Sequence, residues 1–392
     1  MADAASDVLI DVTRLLGRFM QGRLPTGVDR VGLAYLAHYS PHGRALFRWA
    51  GQGFVLSAAD SARLFRLLAC PARRFSREAW PLLAKGVACG WAGRRASAGK
   101  FFFNTGHSGL EQPGYAALLG RLQARPVFFV HDLIPITHPE YCRPGERERH
   151  ARRMDTVLNQ AAAVVANSQA TLDSLAGYAQ AQGKPLPPAA VAWLAPGLAE
   201  PPQAPRPPGP PYFVVLGTIE PRKNHLLLLQ LWRSLVERLG PATPRLVVIG
   251  QRGWECENAL DMLERCAALR GVVVERPGCA DAELAACLRH AQALLFPSFA
   301  EGYGLPLVEA LALGVPVIAS ELPAFREIAG DIPDYIDALD GKRWGEAIEA
   351  FAQPDSPARA AQLERLANFK PPTWTRHFAV VDALLERLDA AR

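Results

Sequence analysis

Residues 196–211 read PGLAEPPQAPRPPGPP, eight prolines and two glycines in sixteen positions. Neither a helix nor a central strand survives so many fixed φ angles and missing N–H donors, so the stretch predicts a stiff linker. It divides a chain of 392 residues, a length that exceeds one ordinary core and suits two domains. Before it lie the strand-like runs DVLIDV (7–12), KFFFNT (100–105), RPVFFVHD (125–132), AAAVVANS (161–168) and AVAWLAP (190–196). After it come PYFVVLGT (211–218), RLVVIGQ (245–251), GVVVERPG (271–278), ALLFPS (293–298) and VPVIAS (315–320). Short β-branched and aromatic runs alternating with helical stretches predict parallel sheets covered on both faces. The expected architecture is α/β: one domain over 1–198, a second over 210–373, and a cleft between them. The amphipathic tail 374–392 follows the second sheet and is expected to pack back on the first domain.

Charge separates the two halves. Residues 1–200 carry 23 Lys and Arg against 14 Asp and Glu, and residues 201–392 carry 20 against 24. The first half is the side suited to an anionic surface or acceptor. It has no Lys/Arg run interleaved with aromatics, which argues against nucleic acid. The seven cysteines are scattered, odd in number and free of any C-x-x-C pair. That argues against a zinc site or a disulfide framework and for a reducing compartment. The first residues show no basic-then-apolar leader pattern, and no apolar run has the length of a membrane span. A cytoplasmic protein is expected, at most peripheral to the inner membrane. Segment 61–99 sets arginines beside Leu, Phe and Trp. It reads as a helical insertion whose apolar stripe packs on its own domain, with an interfacial helix on an anionic bilayer as the alternative.

The chemistry concentrates in FAEGYGLPLVEALALGVPVIAS (299–320). Pro306 suits the first turn of a helix and Gly314 its end. Glu309 is the one charge on an otherwise apolar helix, expected in its first turn, and a lone buried carboxylate needs partners. A ribose diol would supply them; capping of a neighbouring element is the plainer alternative. Glu301 leaves the carboxyl end of a strand, where open α/β sheets bind ligands. Gly302 and Gly304 let a backbone approach a phosphate or sugar, and the N–H groups of Gly304 and Leu305 face a helix start suited to an anion.

A second constellation is VVLGTIEPRKNHLLLLQLW (214–232). The strand ends at Gly217, Asn224 is expected to cap the next helix, and Arg222 and Lys223 stand before it, placed to clamp a diphosphate. In the first domain Thr26 and Gly27 form a tight turn before a helix. His131 and Asp132 leave a buried strand, and His107 and Ser108 follow another in NTGHSGL. Asn167 and Ser168 read as a helix cap. The chain holds no phosphate-loop motif, no G-x-S-x-G elbow and no H-E-x-x-H, and GYGLPL lacks the third glycine of a dinucleotide fingerprint.

Taken together, EGYGLPLVE with EPRKN upstream resembles the retaining glycosyltransferases of family 4. GTIEPRKNH, VVIGQRGWE, the run from RPGCADAEL to VPVIAS, and FREIAG follow that pattern in order across 217–330. TGVDRV, NTGHSGL, VHDLIP and ANSQAT follow it more loosely. The resemblance implies the GT-B fold, two Rossmann-like parallel-sheet domains facing across a cleft. It points to bacterial enzymes that add mannose, rhamnose or similar sugars to surface polysaccharides. By position it assigns Arg222 and Lys223 to the donor diphosphate, Glu301 to donor-sugar hydroxyls and Glu309 to the ribose. The backbone of Tyr303, Gly304 and Leu305 falls to phosphates and sugar, and His131 to the reacting carbon. Gly27 and Gly217 line the diphosphate loops; Gly250, Cys279 and Ala280 border the base. Cys279–Ala280 departs from the usual pattern and leaves the base open among GDP, dTDP and UDP. His107, Ser108 and Asp132 are expected on the acceptor side.

The expected reaction transfers a hexose or deoxyhexose, with retention, to a saccharide or lipid-linked saccharide. No metal and no cofactor beyond the nucleotide sugar is implied, because cationic side chains face the diphosphate. The alternatives are a nucleotide-sugar epimerase or hydrolase on the same fold and a catalytically silent sugar-binding subunit.

Overall fold

The computed structural model describes residues 8–70, 74–89, 97–198 and 209–391. Most of the proline-rich linker (199–208) and parts of segment 61–99 (71–73 and 90–96) therefore lie outside the described residues. The chain divides into two compact units. The first comprises Met1–Ile136, Gly145–Leu194 and Trp374–Arg392; the second comprises Thr137–Pro144 and Ala195–Thr373.

The sheet of the first unit contains β1 (Val8–Asp11), β2 (Gly43–Trp49), β3 (Gln52–Val55), β4 (Phe101–Asn104), β5 (Arg125–Val130), β6 (Ala163–Ala166) and β7 (Ala189–Val191). Their spatial order is β3-β2-β1-β4-β5-β6-β7, with every pair parallel except β2 with β3. Phe101, Phe102, Phe103, Phe128 and Phe129 are buried, as a sheet covered on both faces requires. Helix Trp374–Ala390 belongs to this unit. It places His377 3.0 Å from the Trp193 carbonyl and 3.1 Å from the Tyr35 hydroxyl, while Asp382 accepts a 2.6 Å bond from Tyr39.

Within segment 61–99, helices Ala58–Ala69 and Phe75–Ala88 bury Leu64, Phe65, Leu68, Phe75, Leu82 and Leu83. These buried side chains pack within their own unit, while Trp80 on the second helix is 56% exposed. Among the described residues, no helix is long and apolar enough to cross a membrane.

The second unit has six parallel strands: β8 (Tyr212–Leu216), β9 (Arg245–Ile249), β10 (Val273–Arg276), β11 (Leu294–Phe296), β12 (Val317–Ser320) and β13 (Asp334–Ile336). Their order is β10-β9-β8-β11-β12-β13. One face packs Trp232, Leu235, Trp344, Ile348 and Phe351 over Phe213, Val248 and Leu295.

Each sheet has one point where the strand order reverses. After β1 the chain moves to β2 on one side and later returns to β4 on the other; after β8 it moves to β9 and returns to β11. Loops leaving the carboxyl ends of such a pair diverge and leave a crevice. The residues that follow β1 and β4, and those that follow β8 and β11, are thereby brought together within their own units.

Candidate active site

In the second unit, the loop after β8 carries Glu220, Arg222 and Lys223, and the loop after β11 carries Glu301. These four side chains form one ion cluster. Lys223 Nζ lies 2.5 Å from Glu301 Oε1. Arg222 Nη1 lies 2.8 Å from the same oxygen and donates to the Ala300 carbonyl at 2.7 Å. Its Nη2 donates to Glu220 Oε1 at 2.7 Å. The Phe299 N–H donates to the Arg222 carbonyl at 2.9 Å, so backbone and side chains both tie the two loops together. The Lys223 ammonium also sits 4.8 Å from the centre of the Phe296 ring. Side-chain exposure is 18% for Arg222 and 11% for Lys223 and Glu301.

Burial and pairing oppose each other here. Burial would raise the Glu301 carboxyl, but Arg222 and Lys223 overcome it and hold the group down at about 2. Burial pushes the Lys223 ammonium below its ordinary value against the pull of Glu301. Burial likewise lifts Glu220, against the opposing effect of Arg222 and Lys223. Glu220 opens the EPRKN run, and nothing local in the sequence marks it as a partner of Arg222.

The surrounding glycines have steric reasons of their own. A Cβ on Gly250 would fall 1.9 Å from the Gly217 carbonyl oxygen, and the Gly217 N–H donates to Ile249 at 2.9 Å. The ends of β8 and β9 thus close on each other through glycine. Gly304 has φ +107° and caps helix Leu305–Ala312, and a Cβ there would meet Phe325 at 2.6 Å. Tyr303 is buried.

Two local expectations are corrected. Glu309 lies beyond the first turn, because the helix starts at Leu305. It is 5% exposed and accepts the Gly197 N–H at 3.2 Å, so it grips the backbone entering the linker. Asn224 makes no side-chain cap: it adopts φ +55° and donates to the Ala338 carbonyl at 2.9 Å. Of the four charged residues assigned to the donor, Arg222, Lys223 and Glu301 come together, and Glu309 has a separate partner. Cys279 and Ala280 lie between β10 and helix Asp281–Arg289, with the Cys279 thiol 3.9 Å from Glu283 Oε2.

In the first unit, the loops after β4 and β5 hold the buried imidazoles of His107 and His131, and helix Glu146–Gln160 adds that of His150. The His107 ring is 5.4 Å from that of His131 and 5.5 Å from that of His150. His131 Nε2 lies 2.7 Å from the Thr105 carbonyl oxygen, and His150 Nε2 lies 3.1 Å from the Asp132 carbonyl oxygen. Each of those nitrogens therefore carries the proton and donates it. Burial lowers His131 to about 4, lowers His150, and lowers His107 well below its ordinary value. His150 escaped the sequence reading because it sits in the strongly charged helix Glu146–Gln160.

Arg48 on β2 braces the loop from below. It donates to Asp11 at 3.0 Å and to the Ser108 carbonyl and hydroxyl at 2.6 and 2.9 Å. Thr26 and Asp29 form a capping box on helix Gly27–Tyr39, and Arg14 and Arg18 each lie 2.8 Å from Asp29. The box pairs the backbone N–H groups of Thr26 and Asp29 at the start of that helix. Ser168 caps its helix by accepting the Thr171 N–H at 3.0 Å, and Asn167 donates to the His131 carbonyl at 2.8 Å.

Residues 199–333 match the family described as glycosyl transferases group 1. That segment holds the whole ion cluster. Within the curated proteins, the O-antigen chain mannosyltransferase B of Escherichia coli is 33% identical over 163 residues, which is 42% of this chain and 42% of that protein. The chain thus spans less than half the length of that relative. The structure of Anabaena Alr3699/HepE in complex with UDP and glucose superposes with a TM-score of 0.65 at 14% identity, covering 98% of this chain and 100% of that one. WaaG, a glycosyltransferase involved in lipopolysaccharide biosynthesis, gives 0.62 at 16% identity, covering 96% and 99%. At such identities the likeness concerns the fold: two parallel-sheet α/β domains, with GT-B glycosyltransferases as structural neighbours.

Proposed function

We propose that this chain is a glycosyltransferase that moves a hexose or deoxyhexose, with mannose favoured over rhamnose, from a nucleoside-diphosphate donor to a saccharide or lipid-linked saccharide of a surface polysaccharide. The observation that carries this reading is the Glu220–Arg222–Lys223–Glu301 cluster at the β8/β11 switch point. It lies inside the segment that matches group 1 glycosyl transferases. Mannose is favoured because several curated relatives carry mannosyltransferase names.

In this reading the bond between the sugar's anomeric carbon and the diphosphate oxygen breaks, and its electron pair leaves with the diphosphate. The acceptor oxygen bonds to the same carbon from the same face, and its proton passes to a donor phosphate oxygen. Lys223, Arg222 and the N–H groups at Gly304 and Leu305 stabilise the developing negative charge by fixed electrostatics. Glu301 holds donor-sugar hydroxyls, and Glu309 holds the ribose. His131, in the first unit, is assigned to the reacting carbon by the sequence resemblance alone; burial lowers it to about 4, and the Thr105 carbonyl fixes its ring.

The test is turnover with GDP-mannose, dTDP-rhamnose and UDP-glucose, each with and without an oligosaccharide acceptor. The expected result is nucleoside diphosphate released only when acceptor is present, with the donor's anomeric configuration kept in the product. Release or isomerisation without acceptor would replace this reading with a hydrolase or an epimerase. No turnover of any donor would favour the silent subunit.

A further inference from the structure

The ion cluster divides its two cations unequally. Arg222 has three acceptors: Glu220 Oε1, the Ala300 carbonyl and Glu301 Oε1. Lys223 forms its ion pair with Glu301 Oε1, and beyond that its ammonium faces the Phe296 ring. A single carboxylate oxygen therefore serves both cations. If Glu301 turned away, Arg222 would keep Glu220 and Ala300, but Lys223, only 11% exposed, would lose its direct ion pair and keep only the weaker pull of Glu220. Removing one member of a buried ion pair is strongly unfavourable. Burial already pushes the Lys223 ammonium below its ordinary value, which is the direction an ill-solvated cation takes.

We infer that Glu301 is the internal stand-in for a diphosphate oxygen on Lys223, and that donor binding exchanges one anion for the other while Glu220 keeps Arg222 in place. This rests on the proposed donor site and deepens it. The Glu301 oxygen that serves both cations becomes available to sugar hydroxyls when an incoming anion takes over Lys223. Nucleoside diphosphate and sugar are then recognised as a linked pair, each favouring the other's contact. Glu220 acts through Arg222 as a positioning residue, since it keeps the guanidinium against the Ala300 carbonyl throughout the exchange.

The experiment is calorimetric titration of the full chain with GDP, UDP and dTDP, comparing wild type, Glu301→Gln and Glu220→Gln. Both substitutions remove one negative charge from the same cluster. Glu301→Gln frees Lys223 and is expected to tighten the preferred diphosphate by about tenfold, the lower end of what close charge pairs contribute. Glu220→Gln leaves the Lys223–Glu301 pair intact and is expected to tighten it several-fold less. Equal tightening in both variants would show a general charge effect and overturn the inference, as would no tightening in Glu301→Gln. If Glu301→Gln does not fold, Glu301→Asp carries the same test, because shortening draws the carboxylate off the ammonium. A wild type that binds none of the three diphosphates would instead remove the donor-site reading itself.

Discussion

Two clusters of titratable side chains sit at the carboxyl ends of the two sheets, and they answer burial in opposite ways. In the second unit, Glu220, Arg222, Lys223 and Glu301 are joined in ion pairs, and the two cations hold Glu301 charged against its burial. In the first unit, His107, His131 and His150 give up their charge; burial drives all three below their ordinary value. A group removed from water must be paired or become neutral, and this chain does one in each unit. The difference assigns different work to each. A paired cluster can exchange partners with an incoming anion. A neutral cluster offers fixed donors and shaped walls without attracting charge.

The largest expected effect breaks the charged side. Lys223→Ala or Glu301→Gln should lower acceptor-dependent transfer by at least about 100-fold, the scale of removing one preorganised electrostatic contact. Steady-state rates with the preferred donor check this, and near-normal turnover in either variant would detach the cluster from catalysis.

Next comes the packing that lets the two loops meet. Gly250→Ala drives a methyl into the Gly217 carbonyl, and we expect a loss of about 3 kcal/mol or more in stability. Chemical denaturation would show it as a lower midpoint with little change in slope.

The third prediction separates the clusters by pH. Histidines whose folded value lies below 6.5 leave stability intact above that pH and erode it as pH falls toward about 4, because only the unfolded chain takes up protons in that window. His225 and His377 are lowered to about 4 by burial and act in the same window. Glu301, held at about 2, makes its loss felt only below its ordinary 4.5. The melting temperature should therefore fall between pH 6.5 and 4, before the carboxylate pair opens. His107→Asn should flatten that slope, since asparagine tolerates the φ of +55° at this position. An unchanged slope would mean that His107 takes up its proton in the folded state.

The smallest effect concerns the cap in the first unit. Thr26→Ala removes one half of the capping box and should lower stability by about 1 kcal/mol, read as a small shift in the melting temperature.

The sequence exposed the parts of the fold whose apolar runs are long and uninterrupted. FFFN, RPVFFV, YFVVL and RLVVI all became central strands. It concealed β2 and β3, because their hairpin turns through Ala50 and Gly51 with φ of +47° and +72°. An Ala-Gly pair carries none of the Asn-Gly signal that marks such turns. β13 was missed because it is only three residues long at a sheet edge. At the candidate site, Arg222, Lys223 and Glu301 were legible as charges at strand ends, but the contact among them was not. That contact depends on β8 and β11 being neighbours, a long-range pairing that no local pattern records. The same gap hid His150, Arg48 and Glu220, each of which acts through a residue distant in sequence or through a partner's orientation. Glu309 was legible as a buried carboxylate, while its Gly197 partner was not.

The account turns on whether the Lys223 cluster receives a diphosphate. Thermal melting of wild type and Lys223→Met with GDP, UDP and dTDP tests this most directly, since a ligand that binds the folded state raises its melting temperature. We expect one diphosphate to raise the wild-type melting temperature by several degrees and to leave that of Lys223→Met at its own ligand-free value. Equal shifts in both proteins would place the diphosphate elsewhere and contradict the account.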